Sequence, residues 1–307
     1  MIAGSSGGDL DLQVRLRAFA FLDAQTRLFG SLLPRQLLLR GFDFEGTRLP
    51  LMSPQGIFKP AILSDAALSV TTVPTVEGKQ RPYDDAWDES GLVRYRYRGT
   101  DPRHRDNIAF RRAMERKLPL IYFSGVVPGR YEPVWPVYVI QDDQGALTFL
   151  LQADARPAPG TIPEPGTEDR RRYVTVETRQ WLHQHAFRVR VIRAYRERCA
   201  VCRLHHAELL DAAHILPDTH PEGKPIVPNG LALCTLHHAA FDRNLIGVRP
   251  DLVVQVRRDI LDEADGPILQ HGLQEIHGQG ILVPHAPPLR PSPALLEERF
   301  EWFRKAS

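Results

Sequence analysis

Two short motifs in the last third of the sequence carry metal-ligand spacing. Cys199-Ala200-Val201-Cys202 offers two thiolates, and Cys234-Thr235-Leu236-His237 offers a thiolate and an imidazole. A CxxC followed about thirty residues later by a CxxH suits a tetrahedral zinc ion held by sulfur and nitrogen. The pattern uses all three cysteines of the chain. The expected ligands of a structural Zn2+ are therefore Cys199, Cys202, Cys234 and His237. Between or beside these half-sites lie Ala213-His214-Ile215, Asn229-Gly230, His238 and Asp242. Hydrolysis of a phosphodiester needs a base to activate water, a cation against the phosphate charge and support for the leaving oxygen. His214 closes an apolar run, Leu209 to Leu216, that can be a strand, and a neutral imidazole suits proton abstraction near neutral pH. Asn229 can hold the loop or the base through its amide. His238 and Asp242 stand four apart, on one helix face, and offer a divalent ion such as Mg2+ or Mn2+ an imidazole and a carboxylate.

Taken singly, each residue has a plainer explanation. A lone histidine is more often structural than catalytic, and His205, His206, His220 and His271 are placed in that class. An isolated Asn-Gly is usually a turn. The conjunction, in this order, is what points to a zinc-knit hydrolytic site.

The elements around these residues follow from periodicity. A helix over about Glu177 to Arg198, carrying Trp181, Leu182, Phe187, Val191 and Tyr195, delivers the chain to Cys199. Leu252 to Arg257 alternates as a strand, and Ala294 to Lys305 closes the chain as a helix. At the other end, Leu10 to Leu28 repeats apolar residues at helical spacing through Leu12, Leu16, Phe19 and Leu22. A short helix over Leu32 to Leu39 stops at Gly41. The pattern then becomes strand-like over Ala67 to Val73, Leu92 to Arg98, Leu120 to Val126, Trp135 to Ile140 and Ala146 to Gln152. One helix, Asn107 to Lys117, interrupts it. The fold class expected is α+β: a barrel-like β domain over 1–155, a Pro/Gly-rich linker over 156–172 and a second domain over 173–307.

Composition sets the frame. The chain has 307 residues, 43% hydrophobic and 25% charged, as in a water-soluble globular protein. No apolar run reaches the roughly 20 residues a membrane helix needs. The Gly/Ser-rich start does not read as a signal peptide, and a CxxC outside any disulfide framework favours a reducing cytoplasm. The net charge of +2 does not announce nucleic acid, but nine arginines against two glutamates fall between Arg170 and Arg198. Arg188, Arg190, Arg193 and Arg196 are expected to meet phosphates, as are Arg94, Arg96 and Arg98 of a strand that alternates Arg and Tyr.

The stretch from Cys199 to Leu245 resembles an HNH nuclease domain of the His-Me finger (ββα-metal) type. The residues that carry the resemblance are Cys199 and Cys202, Asp211-Ala-Ala-His214-Ile215, Asn229-Gly230-Leu231, and Leu233-Cys234-Thr-Leu-His237-His238-Ala-Ala-Phe241-Asp242. The resemblance implies a β-hairpin packed on a helix, with His214 as general base, Asn229 fixing its loop and His238 on the catalytic metal. Asp242 falls where a further ligand is expected one turn later. Ala213 stands where many relatives place a ligand. Asp211 is an alternative that strand alternation sets on the face opposite His214.

A second resemblance rests on Gly56-Ile-Phe-Lys-Pro60, Tyr95-Arg-Tyr-Arg-Gly99, Asp101-Pro102, Pro119-Leu-Ile-Tyr122-Phe123 and Gly129-Arg-Tyr131. These are similar to the N-terminal regions of bacterial two-domain HNH proteins, which resemble PUA-like or SRA-like barrels that read modified bases. The implied function is that of a modification-dependent (type IV-like) restriction endonuclease. Its partner would be DNA that can carry modified cytosine, and Tyr95, Tyr97, Tyr122 and Tyr131 are candidate walls of a base pocket. One such nuclease site cuts one strand, so a double-strand break implies a homodimer or successive nicks. The competing readings are a zinc-containing DNA-binding protein without catalysis and an HNH nuclease of repair or recombination.

Overall fold

The structure is a computed structural model that describes residues 7–73, 92–154, 184, 186–264 and 266–306. The chain forms two compact units, Met1–His183 and Gln184–Ser307. The expected linker over 156–172 lies outside the described residues, as does the first part of the helix expected over Glu177 to Arg198.

The first unit is built on one sheet. Its strands are β1 (Leu33–Pro34), β4 (Ile57–Phe58), β5 (Ser69–Thr71), β6 (Leu92–Arg96), β7 (Leu120–Val127), β8 (Arg130–Asp143) and β9 (Thr148–Ala153); β2 (Phe42–Phe44) and β3 (Thr47–Leu49) form a separate hairpin. The sheet order is β4-β5-β7-β8-β9-β6, with β1 on β8, and only β5–β7 is parallel. The sheet is a curled half-barrel with β4 and β6 at its open ends. The long β8 holds it together by pairing with β1, β7 and β9.

Alternation along β7 explains the layering. Leu120 and Tyr122 point to one core, with Val93, Phe149 and Leu151 of the sheet and Ala109, Phe110 and Ala113 of helix α3 (Arg105–Glu115). Ile121 and Phe123 point to the other, with Phe42, Leu49 and helix α1 (Gly7–Phe29). The fully buried stripe of α1 is centred on Val14, Ala18 and Leu22, a rotation away from the expected Leu12 and Leu16. The cause is Arg15, fully buried and paired with Asp11. Its guanidinium donates to the Pro119 carbonyl at 2.7 Å and the Ala67 carbonyl at 2.9 Å. A charge taken from water needs such partners, and meeting them fixes the rotation of the helix. A short helix α2 (Arg35–Arg40) follows β1 and ends at Gly41, whose φ of 63° and approach to Leu49 exclude a side chain.

In the second unit, helix α4 (186–194) precedes the antiparallel pair β10 (Leu210–His214) and β11 (Gly230–Cys234), and β11 runs directly into helix α5 (Thr235–Asp242). β12 (Ile246–Val248) and β13 (Val254–Val256) form a small second sheet. The C-terminal helix Pro293–Ala306 packs Phe303 on Gly247, where a Cβ would lie 2.6 Å from the ring. From the same helix, buried Arg299 donates to the Phe241 carbonyl at 2.6 Å and to Asn244 Oδ1 at 2.5 Å. A cation at the last turn of α5 complements the negative end of the helix dipole.

Candidate active site and metal centre

The thiol sulfurs of Cys199, Cys202 and Cys234 and a ring nitrogen of His237 lie within 4.8 Å of one another. Cys202 and Cys234 sulfurs are 3.9 Å apart, and His237 Nδ1 is 3.6 Å from the Cys199 sulfur and 3.0 Å from that of Cys234. Tetrahedral zinc with ordinary bond lengths sets sulfurs about 3.8 Å apart and sulfur and nitrogen about 3.6 Å apart. The donor set fits the ion.

The local backbone explains why. Arg203 N donates to Cys199 O, and Cys199 N to Leu204 O, which closes the CxxC turn. Ala200 N donates to Ala232 O at 2.7 Å and lays that turn beside β11. Cys234 ends the strand, and His237 sits in the first turn of α5, one step from His238. The His237 Nε2 lies 2.8 Å from the Gly272 carbonyl. Donation to that oxygen fixes the tautomer that turns the Nδ1 lone pair toward the sulfurs. Gly272 lies in the helical turn Gln270–Gln274, and no sequence signal pointed to it. The close thiols push Cys199 below its ordinary range and Cys202 above it, so the ligand reading rests on the geometry of the four donors.

The second group of residues gathers on β10, β11 and α5. His214 ends β10 opposite Gly230, half-buried. Asn229 is fully buried just before β11. It donates through Nδ2 to the carbonyls of Leu216 at 2.9 Å and Lys224 at 3.0 Å, and its Oδ1 accepts from Leu216 N at 2.9 Å. Its own carbonyl accepts from Ile215 N. The loop after His214 is thus pinned at both peptide groups of Leu216. On α5, His238 Nε2 lies 3.4 Å from Asp242 Oδ2. Such a pair, partly exposed, fits a divalent ion that keeps open positions for water or phosphate. Burial pushes the His214 imidazole below its ordinary value; Asp218 opposes that shift, His238 adds to it, and Asp211 and Asp242 oppose it less strongly. A depressed value keeps this ring neutral and able to accept a proton.

Asp211 occupies a place its strand parity does not suggest. It stands three positions before His214 on β10, yet its Oδ2 lies 3.7 Å from His238 Nδ1. Alternation separates Asp211 from His214, but it does not keep Asp211 from His238 on α5. The two ring nitrogens of His238 therefore each face a carboxylate. Asp211 also accepts from Arg188 Nε at 2.9 Å.

The expected phosphate-contacting arginines meet different fates. Arg188 binds Asp211 and the Leu210 carbonyl, and Arg190 the carbonyls of Ala186 and Pro225. Arg193 is half-buried and Arg196 exposed. Arg94 and Arg96 are exposed along β6, while Arg98 engages Asp106 and Gln55. The four tyrosines do not converge. Tyr97 and Tyr122 are buried in the α3-side core with Tyr95 packed against it, and Tyr131 is buried in the α1-side core. Tyr97 stacks on Phe149 at 4.5 Å and bonds Asp142 and Arg111; burial and the Asp142 bond push its hydroxyl up to about 12.

The family model for HNH endonucleases matches residues 199–249, which span both clusters from Cys199 past Asp242. Among solved structures, the chain is similar to one described as the modification-dependent TagI restriction endonuclease, with TM-score 0.30 and 15% identity over 78% of this chain and 82% of that one. It is also similar to the type IV phosphorothioation-dependent restriction endonuclease ScoMcrA, with TM-score 0.24 and 14% identity over 71% of this chain and 49% of that one. Likenesses of this degree add nothing to the argument from the site. No curated protein matches the chain. Residues 199–249 are an HNH endonuclease domain, and through it this chain is an endonuclease.

Proposed function

We propose that the chain hydrolyses DNA phosphodiester bonds with His214 as general base, and that its N-terminal unit directs it to modified DNA in restriction. The observation that carries the reading is the meeting of three features in one ββα unit. These are a base held below its usual pKa, a buried asparagine that pins the loop behind it, and an imidazole–carboxylate pair one helix away. His214 takes the proton from the attacking water. Asn229 keeps the loop behind that base in place. His238 and Asp242 would hold Mg2+ or Mn2+, which when bound supplies charge neutralisation at the phosphate and the leaving oxygen. Asp211, facing Nδ1 of His238, orients that ring so that Nε2 stays available beside Asp242. Cys199, Cys202, Cys234 and His237 would hold Zn2+, which fixes the start of α5 to the end of β11.

DNA recognition by the first unit is supported by its sequence resemblance to base-reading domains and by Arg94 and Arg96, exposed together along β6. The test is digestion of supercoiled plasmids that are unmodified, cytosine-methylated or hydroxymethylated, with Mg2+ or Mn2+ and with a chelator. The expected result is nicking that needs the divalent ion and runs faster on modified DNA. Equal rates on all substrates would remove the modification reading and leave the nuclease. Binding without cleavage of any substrate would favour a zinc-containing DNA-binding protein.

A further inference from the structure

We propose that Phe187 is a positioning residue for the base, acting by stacking on the imidazole of His214, and that Gly230 is glycine to make room for it. The proposal rests on the reading of His214 as the base. Phe187 belongs to α4, ahead of the region that the HNH family model matches. Its ring lies face to face with that of His214, with centroids 4.0 Å apart and planes 19° apart. It is 1% exposed, so the platform is anchored in the core while the half-buried His214 keeps contact with solvent.

The need for such a platform follows from histidine itself. The torsion that sets the imidazole plane has broad wells, so the ring turns easily unless something holds it. Asn229 fixes the backbone after His214, not its ring. Among the described residues no side-chain hydrogen bond holds the His214 ring. The stacked phenyl is the contact that defines its plane, and stacked aromatic rings in offset geometry carry a real orientational preference.

Gly230 supplies the independent observation. It is the residue directly opposite His214 in the β10–β11 register. Its backbone is ordinary extended strand, φ −132° and ψ 143°, so no conformational demand calls for glycine there. Space does. A Cβ at Gly230 would lie 2.5 Å from Val191 Cγ2, 2.8 Å from Phe187 Cζ and 3.0 Å from Phe187 Cε2. The side chain missing from Gly230 is the room in which the phenyl ring reaches the base. Just past the end of α4, the Tyr195 hydroxyl donates to the Gly230 carbonyl at 3.1 Å and holds helix and strand in this register. The sequence Asn229-Gly230 thus serves the base from two sides: the asparagine pins the loop, and the glycine admits the platform.

The test uses the full-length protein. In the wild type, selectively labelled histidine and phenylalanine should show direct through-space contacts between the ring protons of Phe187 and His214, with His214 resonances moved upfield by the stacked ring. Phe187→Leu should abolish that upfield shift and lower kcat about tenfold, with KM, zinc content and DNA affinity kept. Gly230→Ala should lower kcat in the same way although Phe187 is still present. Absence of the ring–ring contact in the wild type would overturn the proposal even if neither variant folds. So would a folded Phe187→Leu protein that has lost the shift but keeps wild-type kcat, or one whose loss falls in KM alone. Failure of the base assignment is separable: it would leave the ring contact intact while His214→Ala still cleaved DNA.

Discussion

His214 is the residue on which protonation state and geometry meet. Burial is the larger influence on its imidazole and lowers the pKa from 6.5, while Asp218, Asp211 and Asp242 pull it back. A base must be neutral to act, so activity is lost as pH falls through the lowered value and is present above it. The acid limb of kcat/KM, which reports the free enzyme, should therefore fall below pH 6.5. A limb above that value would show that neighbouring carboxylates, not burial, govern the ring. Asp211 invites a separate test. Its carboxylate and Asp242 face opposite nitrogens of His238. Asp211→Asn should weaken Mn2+ binding about tenfold, read by direct titration of the metal rather than by turnover. Unchanged affinity would reduce Asp211 to a partner of Arg188.

At the scale of elements, an ion held by Cys199, Cys202, Cys234 and His237 would join parts that two strands and one short helix could not hold alone. The Cys199–Cys202 turn, the end of β11 and the first turn of α5 all deliver ligands to one point, and Gly272 closes it from outside. Cys202→Ser should therefore destabilise the second unit by more than about 4 kcal/mol and release zinc, measured by calorimetry and metal analysis. Full zinc content with an unchanged transition would contradict the ligand set. Much of this was legible in advance, because ligand spacing and helical periodicity are local. The CxxC and CxxH half-sites, the β10 strand ending in His214 and the i,i+4 pair on α5 each needed only neighbours in sequence. What was not legible depended on contacts between distant segments. Gly272 meets His237 from 35 positions away, and Asp211 meets His238 across the strand–helix packing. The placement of the tyrosines depends on strand pairing in the same way. Tyr131 pairs with Gly125, three positions along β7 from Tyr122, so alternation turns the two toward opposite cores.

For the molecule as a whole, the proposed function divides chemistry and recognition between two units. The HNH domain over 199–249 lies in the second; the first is a half-barrel sheet between α1 and α3 whose β6 exposes Arg94 and Arg96. This division predicts that losing the base need not lose the DNA. The most direct measurement is cleavage and binding by the wild type and His214→Ala on the same plasmid with Mg2+ or Mn2+. The account predicts that the variant loses at least about 100-fold in nicking rate while its DNA affinity stays within about twofold. Retained cleavage by His214→Ala would contradict the assignment of His214 as the base.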